Sequence, residues 1–356
     1  MQHLSRFFGS RIMKTGFSVL ITAWVCNLFN LPAIFAIVTA IVTIEPTASD
    51  SIKKGFVRFP ASAIGSAFSM TFAASLGDTP IVYALSTVCT IAACYKLKLN
   101  DGILVATLTA VMMITYTPDH HFLAFVTRLA TTSIGILVST IVNIFILPPN
   151  YSSVITKNIN NIYNRTSDLL VQMVEDFINE KSPKRLLRSL QEIERILDKT
   201  FMLCQYKRDE WKYHRHTTDQ MRKFHFELKK LTLLQQIIYH LRNLSFMNVE
   251  LTEWSEKDKA IIKKAAKSVS NILKDEQHNI PDSHHKIITE MDKRFWQLKE
   301  DVPSETKSHY PHHFSTETII FFELLSIHNI LDELDHVGKY EIRHKNRSAK
   351  VIINPD

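Results

Sequence analysis

The chain has 356 residues, a formal net charge of +7 and a mean hydropathy of −0.02, averages that would suit an ordinary globular protein rich in aliphatic side chains. Those averages conceal two unlike halves: only Glu45, Asp50, Asp78, Asp101 and Asp119 of the 35 acidic residues, and nine of the 42 Lys and Arg, precede Asn150. The second half, with 33 basic against 30 acidic residues, is nearly balanced, which argues against nucleic acid as a partner.

The first half reads as apolar runs of about 20 residues, the length that crosses about 30 Å of hydrocarbon, with polar punctuation between them. Six are predicted. The first runs from about Arg11 to Leu28, and Asn27, Asn30 and Pro32 turn the chain into a second that ends near Glu45-Pro46. The third covers Gly55 to Leu76, and Gly77-Asp78-Thr79-Pro80 turns into the fourth, Ile81 to Tyr95. The fifth is Gly102 to Tyr116, and Pro118-Asp119-His120-His121 leads to the sixth, Phe122 to Leu147, stopped by Pro148-Pro149. Arg6, Arg11 and Lys14 before the first run could mimic a secretory signal, but no small-residue cleavage site follows, so the run is read as a retained span.

Charge decides between one long first span and a hairpin of two. Cytoplasmic loops collect Lys and Arg. With six spans, Arg6, Arg11 and Lys14, then Lys53, Lys54 and Arg58, then Lys96 and Lys98 all fall on one side with the charged half, and the opposite turns hold no Lys or Arg. The reading is a multi-pass protein of the cell membrane with both termini cytoplasmic.

After Pro149 the pattern becomes amphipathic and helical, with apolar residues three and four apart. A helix starting at Ser182-Pro183 carries Leu186, Leu190, Ile193, Leu197 and Phe201, and a break falls around His214 to Asp219. The next helix carries Phe224, Leu228, Leu231, Leu234, Ile238 and Leu241. Ser255-Glu256-Lys257-Asp258 starts a helix to about Lys274, Ser283 and Ser315 are read as caps of two more, and Gly338 as the end of the last. The expected fold is therefore all-α: a six-helix transmembrane bundle over residues 1–150, a cytoplasmic helical domain over 151–338, and a polar, disordered tail from Lys339.

Two faces in the first half carry more than hydrophobicity. Ala61, Gly65, Ser69, Ala73 and Gly77 put a small residue at every fourth position of the third span, a face for close helix packing, with substrate lining as the alternative. Arg128, Thr132, Gly135, Ser139 and Asn143 make one polar face on the sixth span. Arg128 at that depth costs about 2 to 3 kcal/mol unless paired or wet. It either snorkels to the surface or faces a cavity as counter-charge for an anion. Glu45 is read either as an interfacial salt bridge with Lys53, Lys54 or Arg58 or as a proton carrier, and Lys14 and Arg58 as anchors or as a basic vestibule for anions.

Cys26, Cys89, Cys94 and Cys204 have no metal or disulfide spacing. Thirteen of the 16 histidines follow residue 200, and pairs such as His284-His285 and His312-His313 lack a partner cluster, so solvated surface is the expectation and no metal or cofactor is called. Phosphate-loop, nucleophile-elbow and zinc-hydrolase signatures are absent, which makes an enzyme a poor reading.

The stretch Ala36 to Ala48 (AIVTAIVTIEPTA), followed by Ser51, Lys54-Gly55, Arg58, Pro60-Ala61 and Ile64-Gly65, resembles the bacterial aromatic acid exporter family. Arg11 with Lys14-Thr15-Gly16, the Lys96 to Leu99 loop, Pro148-Pro149 and the segment Tyr206 to His214 resemble its small Gram-positive, six-span branch. The family is related to fusaric acid resistance proteins and plant aluminium-activated malate channels, and twelve-span relatives are built of two six-span halves. The resemblance thus implies organic-anion cargo and a homodimer in the lipid bilayer. The expectation is an exporter of aromatic or related carboxylates. Arg128, Thr132, Ser139 and Asn143 line its pathway, Lys14 and Arg58 its inner mouth, and Glu45 couples transport to a gradient. A passive anion channel, and a membrane-anchored interaction protein acting through its helical domain, are the alternatives.

Overall fold

A computed structural model describes residues 10–115, 121–146, 151–179, 181, 183–213, 215–247, 255–300 and 315–353. Twelve α-helices, with no strand, make up these described residues. Two compact units result. Residues 1–150 with Tyr206–Arg215 form one, and Tyr151–Gln205 with His216–Asp356 the other.

In the first unit α1 (Ser10–Leu28) ends where expected. Asn30 takes a positive φ of 52° in the turn, and α2 (Ala33–Thr43) follows Pro32, so this stretch is two helices and not one. The third helix, α3 (Ala48–Leu76), starts one to two turns before the expected Gly55. Thr47 is extended and its hydroxyl accepts from Asp50 N at 3.0 Å, a side-chain cap that outweighs the polar run Ser49 to Lys54. Gly77, at φ +68°, closes it. Then come α4 (Pro80–Lys96), a 3₁₀ turn at Asn100–Gly102, α5 (Ile103–Ile114) and α6 (His121–Phe145). The fifth helix therefore begins one residue after the expected Gly102, which belongs to the 3₁₀ turn.

Helix α3 packs against α4, α5 and α6, while α2 packs against α1 and α6. Glycines set the closest approaches. A Cβ on Gly65 would lie 2.2 Å from the Ala106 carbonyl oxygen, and one on Gly135 would lie 2.5 Å from that of Ala36. The small stripe of α3 thus does the packing job for Ala61, Gly65 and Ser69, which are buried, whereas Gly77 is exposed. By length and composition, Ala48–Leu76 and Phe122–Phe145 are each apolar enough to cross a membrane, and α2, α4 and Asn100–Ile114 are shorter apolar helices. At 1.5 Å per residue the 11 residues of α2 span only about 17 Å.

The first unit exposes large apolar side chains and buries hydroxyls alongside its apolar core. Phe17, Trp24, Phe56, Phe122, Leu137 and Phe145 are exposed, while Ser18, Thr22, Ser62, Thr109, Arg128 and Thr132 are buried. Large apolar side chains on the outside are favourable where the surrounding solvent is itself apolar.

The second unit holds α7 (Tyr151–Ile178), a 3₁₀ turn at Pro183–Leu186 and α8 (Leu187–Glu210), whose last residues belong to the first unit. It continues with α9 (Thr218–Ser245), α10 (Glu256–Lys274), α11 (Asp282–Glu300) and α12 (Thr316–Ile353). The expected stripes largely face inward: Leu186, Leu190, Ile193, Leu197, Phe224, Leu231, Leu234, Ile238 and Leu241 are buried, while Phe201 and Leu228 are half-buried. Thr217 and Gln220 form a capping box that opens α9. Asp258, buried, takes both Arg294 nitrogens at 2.7 Å and so clamps α10 to α11.

Three expectations are corrected here. Ser283 is not a cap, because α11 begins at Asp282 directly after Pro281. Gly338 does not end the last helix, which continues to Ile353 through the stretch expected to be a disordered tail. The glycine serves packing instead, since a Cβ there would lie 2.4 Å from the Gln277 carbonyl oxygen. Nor is His284 solvated: it is fully buried, 2.8 Å from Ser268 Oγ and 3.2 Å from His328 Nδ1, while His285 is exposed. Arg6, Pro118, Asp119, His120, Pro148, Pro149, Ser182, His214, His312 and His313 lie outside the described residues. Among those described, no group of three or more His, Cys, Asp or Glu is placed to hold a metal ion.

Candidate anion pathway

All four polar side chains expected on the sixth span are buried in the first unit. Arg128 is 1% exposed and does not snorkel. Its Nη2 donates to Thr109 Oγ1 at 2.5 Å, and its guanidinium carbon lies 4.5 Å from the centre of the Phe35 ring. Its Nε and Nη1 are buried and find no acceptor, and it makes no ion pair, among the described residues. An arginine held by one hydroxyl and one aromatic face keeps most of its charge-assisted bonding capacity unused, at a cost that a carboxylate would relieve.

Ser62 ties this end together, with its Oγ 3.1 Å from Thr109 Oγ1 and 3.2 Å from Thr132 Oγ1. One short side chain on α3 thereby links α5 and α6. The hydroxyls of Ser18, Thr22, Ser69 and Ser86 are buried as well and have no partner among the described residues. Ser139, also expected on the pathway, spends its hydroxyl on the Ile136 carbonyl of its own helix at 3.0 Å.

Fifteen residues along α6 from Arg128, about 22 Å at helical rise, Asn143 organises a second cluster. Its Oδ1 accepts from Lys14 Nζ at 2.8 Å, and its Nδ2 lies within hydrogen-bond distance of Ser51 Oγ (2.8 Å), Thr47 O (3.0 Å) and Glu45 O (3.1 Å). Lys14 is 4% exposed. Beside it Glu45 is held by Arg58 Nη2 at 2.5 Å and Lys54 Nζ at 3.0 Å, and Arg58 Nε donates to the Asp101 carbonyl at 3.3 Å. Of the two readings of Glu45, this geometry displays the salt bridge. Arg58 is buried, and its Nη1 has no partner among the described residues.

The structure therefore sorts the seven expected residues into two groups: Arg128 and Thr132 at one end, and Asn143, Lys14, Glu45 and Arg58 at the other, with Ser139 between them. Phe35, Ser62 and Thr109 were missed. A signal existed for Ser62, since Ser51, Gly55, Arg58, Ser62, Ser66 and Ser69 recur at helical spacing beside the small stripe. A groove of about 410 Å³ between α3 and α6, lined by Gly55, Phe56, Phe59, Ile136, Leu137 and Ile141 among others, carries no charged side chain and does not suit an anion.

Relatives place the chain. A Bacillus cereus UPF0421 protein is 47% identical over 335 residues, which is 94% of this chain and 95% of the relative. The chain belongs to the UPF0421 family. Its members include UPF0421 protein OB2406 of Oceanobacillus iheyensis, 36% identical over 95% of this chain and 96% of that one. UPF0421 protein SSP0904 of Staphylococcus saprophyticus is 34% identical over 92% and 97%. Within this UPF0421 chain, residues 6–146 match the family described as aromatic acid exporter family member 1. That match covers the six helices Ser10–Phe145 of the first unit, whose exposed apolar side chains suit a membrane protein.

Proposed function

We propose that the protein crosses the cell membrane six times with both termini in the cytoplasm and, as a homodimer, exports aromatic or related carboxylates. The observation that carries this reading is Arg128, a buried cation with two unsatisfied nitrogens against an aromatic ring. Guanidinium nitrogens match a carboxylate in geometry and charge, and Phe35 offers an apolar face to the rest of an aromatic acid. Thr132, Ser62 and Thr109 replace water around the carboxylate, and Lys14, Asn143 and Arg58 line the cytoplasmic mouth. The cargo is chemically unchanged, so no enzyme chemistry and no cofactor is invoked.

Two α-helices long enough to span and three shorter apolar ones form the bundle together with α1, in which Lys14, Ser18, Thr22 and Cys26 turn inward. The short α2 is compatible with a thinned or re-entrant span whose polar ends are covered by protein.

Glu45 is assigned as the acid that couples efflux to the proton or membrane gradient. Its two cationic partners favour a second reading, passive anion conduction with Glu45 as a fixed ion pair. The test is flux of benzoate, salicylate and related acids in proteoliposomes of the purified chain, with and without an imposed pH gradient. Accumulation that needs the gradient and is lost in Glu45→Gln supports coupling. Downhill flux that ignores both supports the channel, and no flux above empty liposomes removes the carboxylate reading.

A further inference from the structure

Tyr206–Arg215 groups with residues 1–150 and not with the helices that flank it in sequence. At its centre the Glu210 side chain is 7% exposed. Its Oε1 accepts from the backbone N–H of Ala48 at 2.9 Å, and its charge acts on the ammonium of Lys14. Lys14 donates only to neutral oxygens, Asn143 Oδ1 at 2.8 Å and Asn143 O at 3.3 Å, and forms no ion pair within 4 Å among the described residues.

A buried ammonium held by amide oxygens keeps its attraction for an anion, because neutral acceptors satisfy its N–H groups without cancelling its charge. Glu210 supplies a carboxylate to that field. It is also bonded to a main-chain N–H, which any other carboxylate could take in its place. Arg58 and Lys54 do not compete for Glu210 here, since both are committed to Glu45. The segment is thus seated on the α2–α3 turn by an acid of the same chemical class as the cargo.

We propose that Glu210 is a built-in competitor of the cargo, its carboxylate holding the Ala48 N–H, within the field of Lys14, that a departing or entering aromatic carboxylate must take. Passage of cargo then requires Tyr206–Arg215 to give way, and the segment sets how readily the pathway opens. This rests on the carboxylate-export reading of the same bundle.

The test is calorimetric titration of benzoate into the full chain in nanodiscs, comparing wild type, Glu210→Gln, Glu210→Asp and the double variant Glu210→Gln/Lys14→Gln. Glu210→Asp keeps the charge but withdraws it by one methylene, and it serves if the glutamine variant does not fold. A tethered competitor acts at an effective concentration near millimolar, so either single variant is expected to bind benzoate about tenfold more tightly than wild type. The double variant should lose that gain. Equal affinity in wild type and both single variants, or a gain that persists without Lys14, would overturn the proposal. Flux measured in parallel separates the two claims. Benzoate transport with unchanged affinities removes the competitor role and leaves transport standing, whereas tighter, Lys14-dependent binding without flux in any variant does the reverse.

Discussion

The Arg128 guanidinium, from α6, faces the ring of Phe35, from α2, at 4.5 Å. The pair sets side by side the two chemical features that the proposed cargo would need, a cation for the carboxylate and a ring for the ring. Replacing Phe35 by Leu keeps the volume apolar and removes the π face. Discrimination between benzoate and an aliphatic acid of similar size should fall about fivefold, the worth of one aromatic contact. Competition of the two acids in a flux assay measures it, and an unchanged ratio would assign Phe35 to packing alone.

Asn143 is the joint of the second cluster, since its amide reaches α1 through Lys14, the α2–α3 turn through the Glu45 and Thr47 carbonyls and the first turn of α3 through Ser51. Asn143→Leu leaves a buried ammonium without its side-chain acceptor, at a cost of about 3 kcal/mol or more. The thermal midpoint of the protein in detergent should drop by several degrees. Paired replacement with Lys14→Met should recover much of the loss.

Gly65 and Gly16 make a matched pair for helix packing. A Cβ on Gly65 meets the Ala106 carbonyl oxygen at 2.2 Å, whereas one on Gly16 meets nothing within 4 Å. Alanine in a helix normally gains about 1 kcal/mol over glycine. Gly16→Ala should therefore raise stability slightly, and Gly65→Ala should lower it by about 2 kcal/mol through overpacking. Thermal unfolding of the two variants distinguishes backbone crowding from propensity.

In the second unit, His278 and His284 titrate below the ordinary histidine range. Burial is the main cause for both, pushing each down to about 4, with the neighbouring His328 and His285 adding to the effect at His284. Both are neutral when folded at pH 7, so the stability they contribute is fully present above about pH 6.5. As pH falls from there toward 4 the unfolded chain binds the protons first. Each histidine then removes about 1.4 kcal/mol per pH unit. Hydrogen exchange in α10 and α11 across that range should show the loss, and His284→Gln should flatten part of the slope.

Much of this was legible in the sequence because the membrane imposes a coarse code. Helix ends at Leu28 and Leu76 follow from hydropathy and turn residues, whereas the sixth helix ends at Phe145 and not the expected Leu147. The shared face carried the burial of Thr132, Ser139 and Asn143 but left Arg128 open between snorkelling and burial. The partners were not legible. Thr109 and Phe35 lie on apolar helices with no periodic mark of their own, and only the packing of α2 and α5 brings them to Arg128. Ser283 and Gly338 misled because each residue type has two uses: serine caps a helix or sits within its first turn, and glycine ends a helix or admits a neighbouring backbone. Glu210, 162 residues from Ala48 in sequence, lay in the Tyr206 to His214 segment that carried the family resemblance, but nothing in its spacing marked Ala48 as its partner.

The most direct measurement is benzoate efflux from proteoliposomes carrying wild type or Arg128→Gln, with the assembly state of both checked by size-exclusion chromatography. If the buried guanidinium binds the carboxylate, the variant assembles normally and its flux falls by a factor of about 30 or more, the loss expected when one partner of a buried charge pair is removed. Wild-type flux from a correctly assembled Arg128→Gln protein would contradict the assignment.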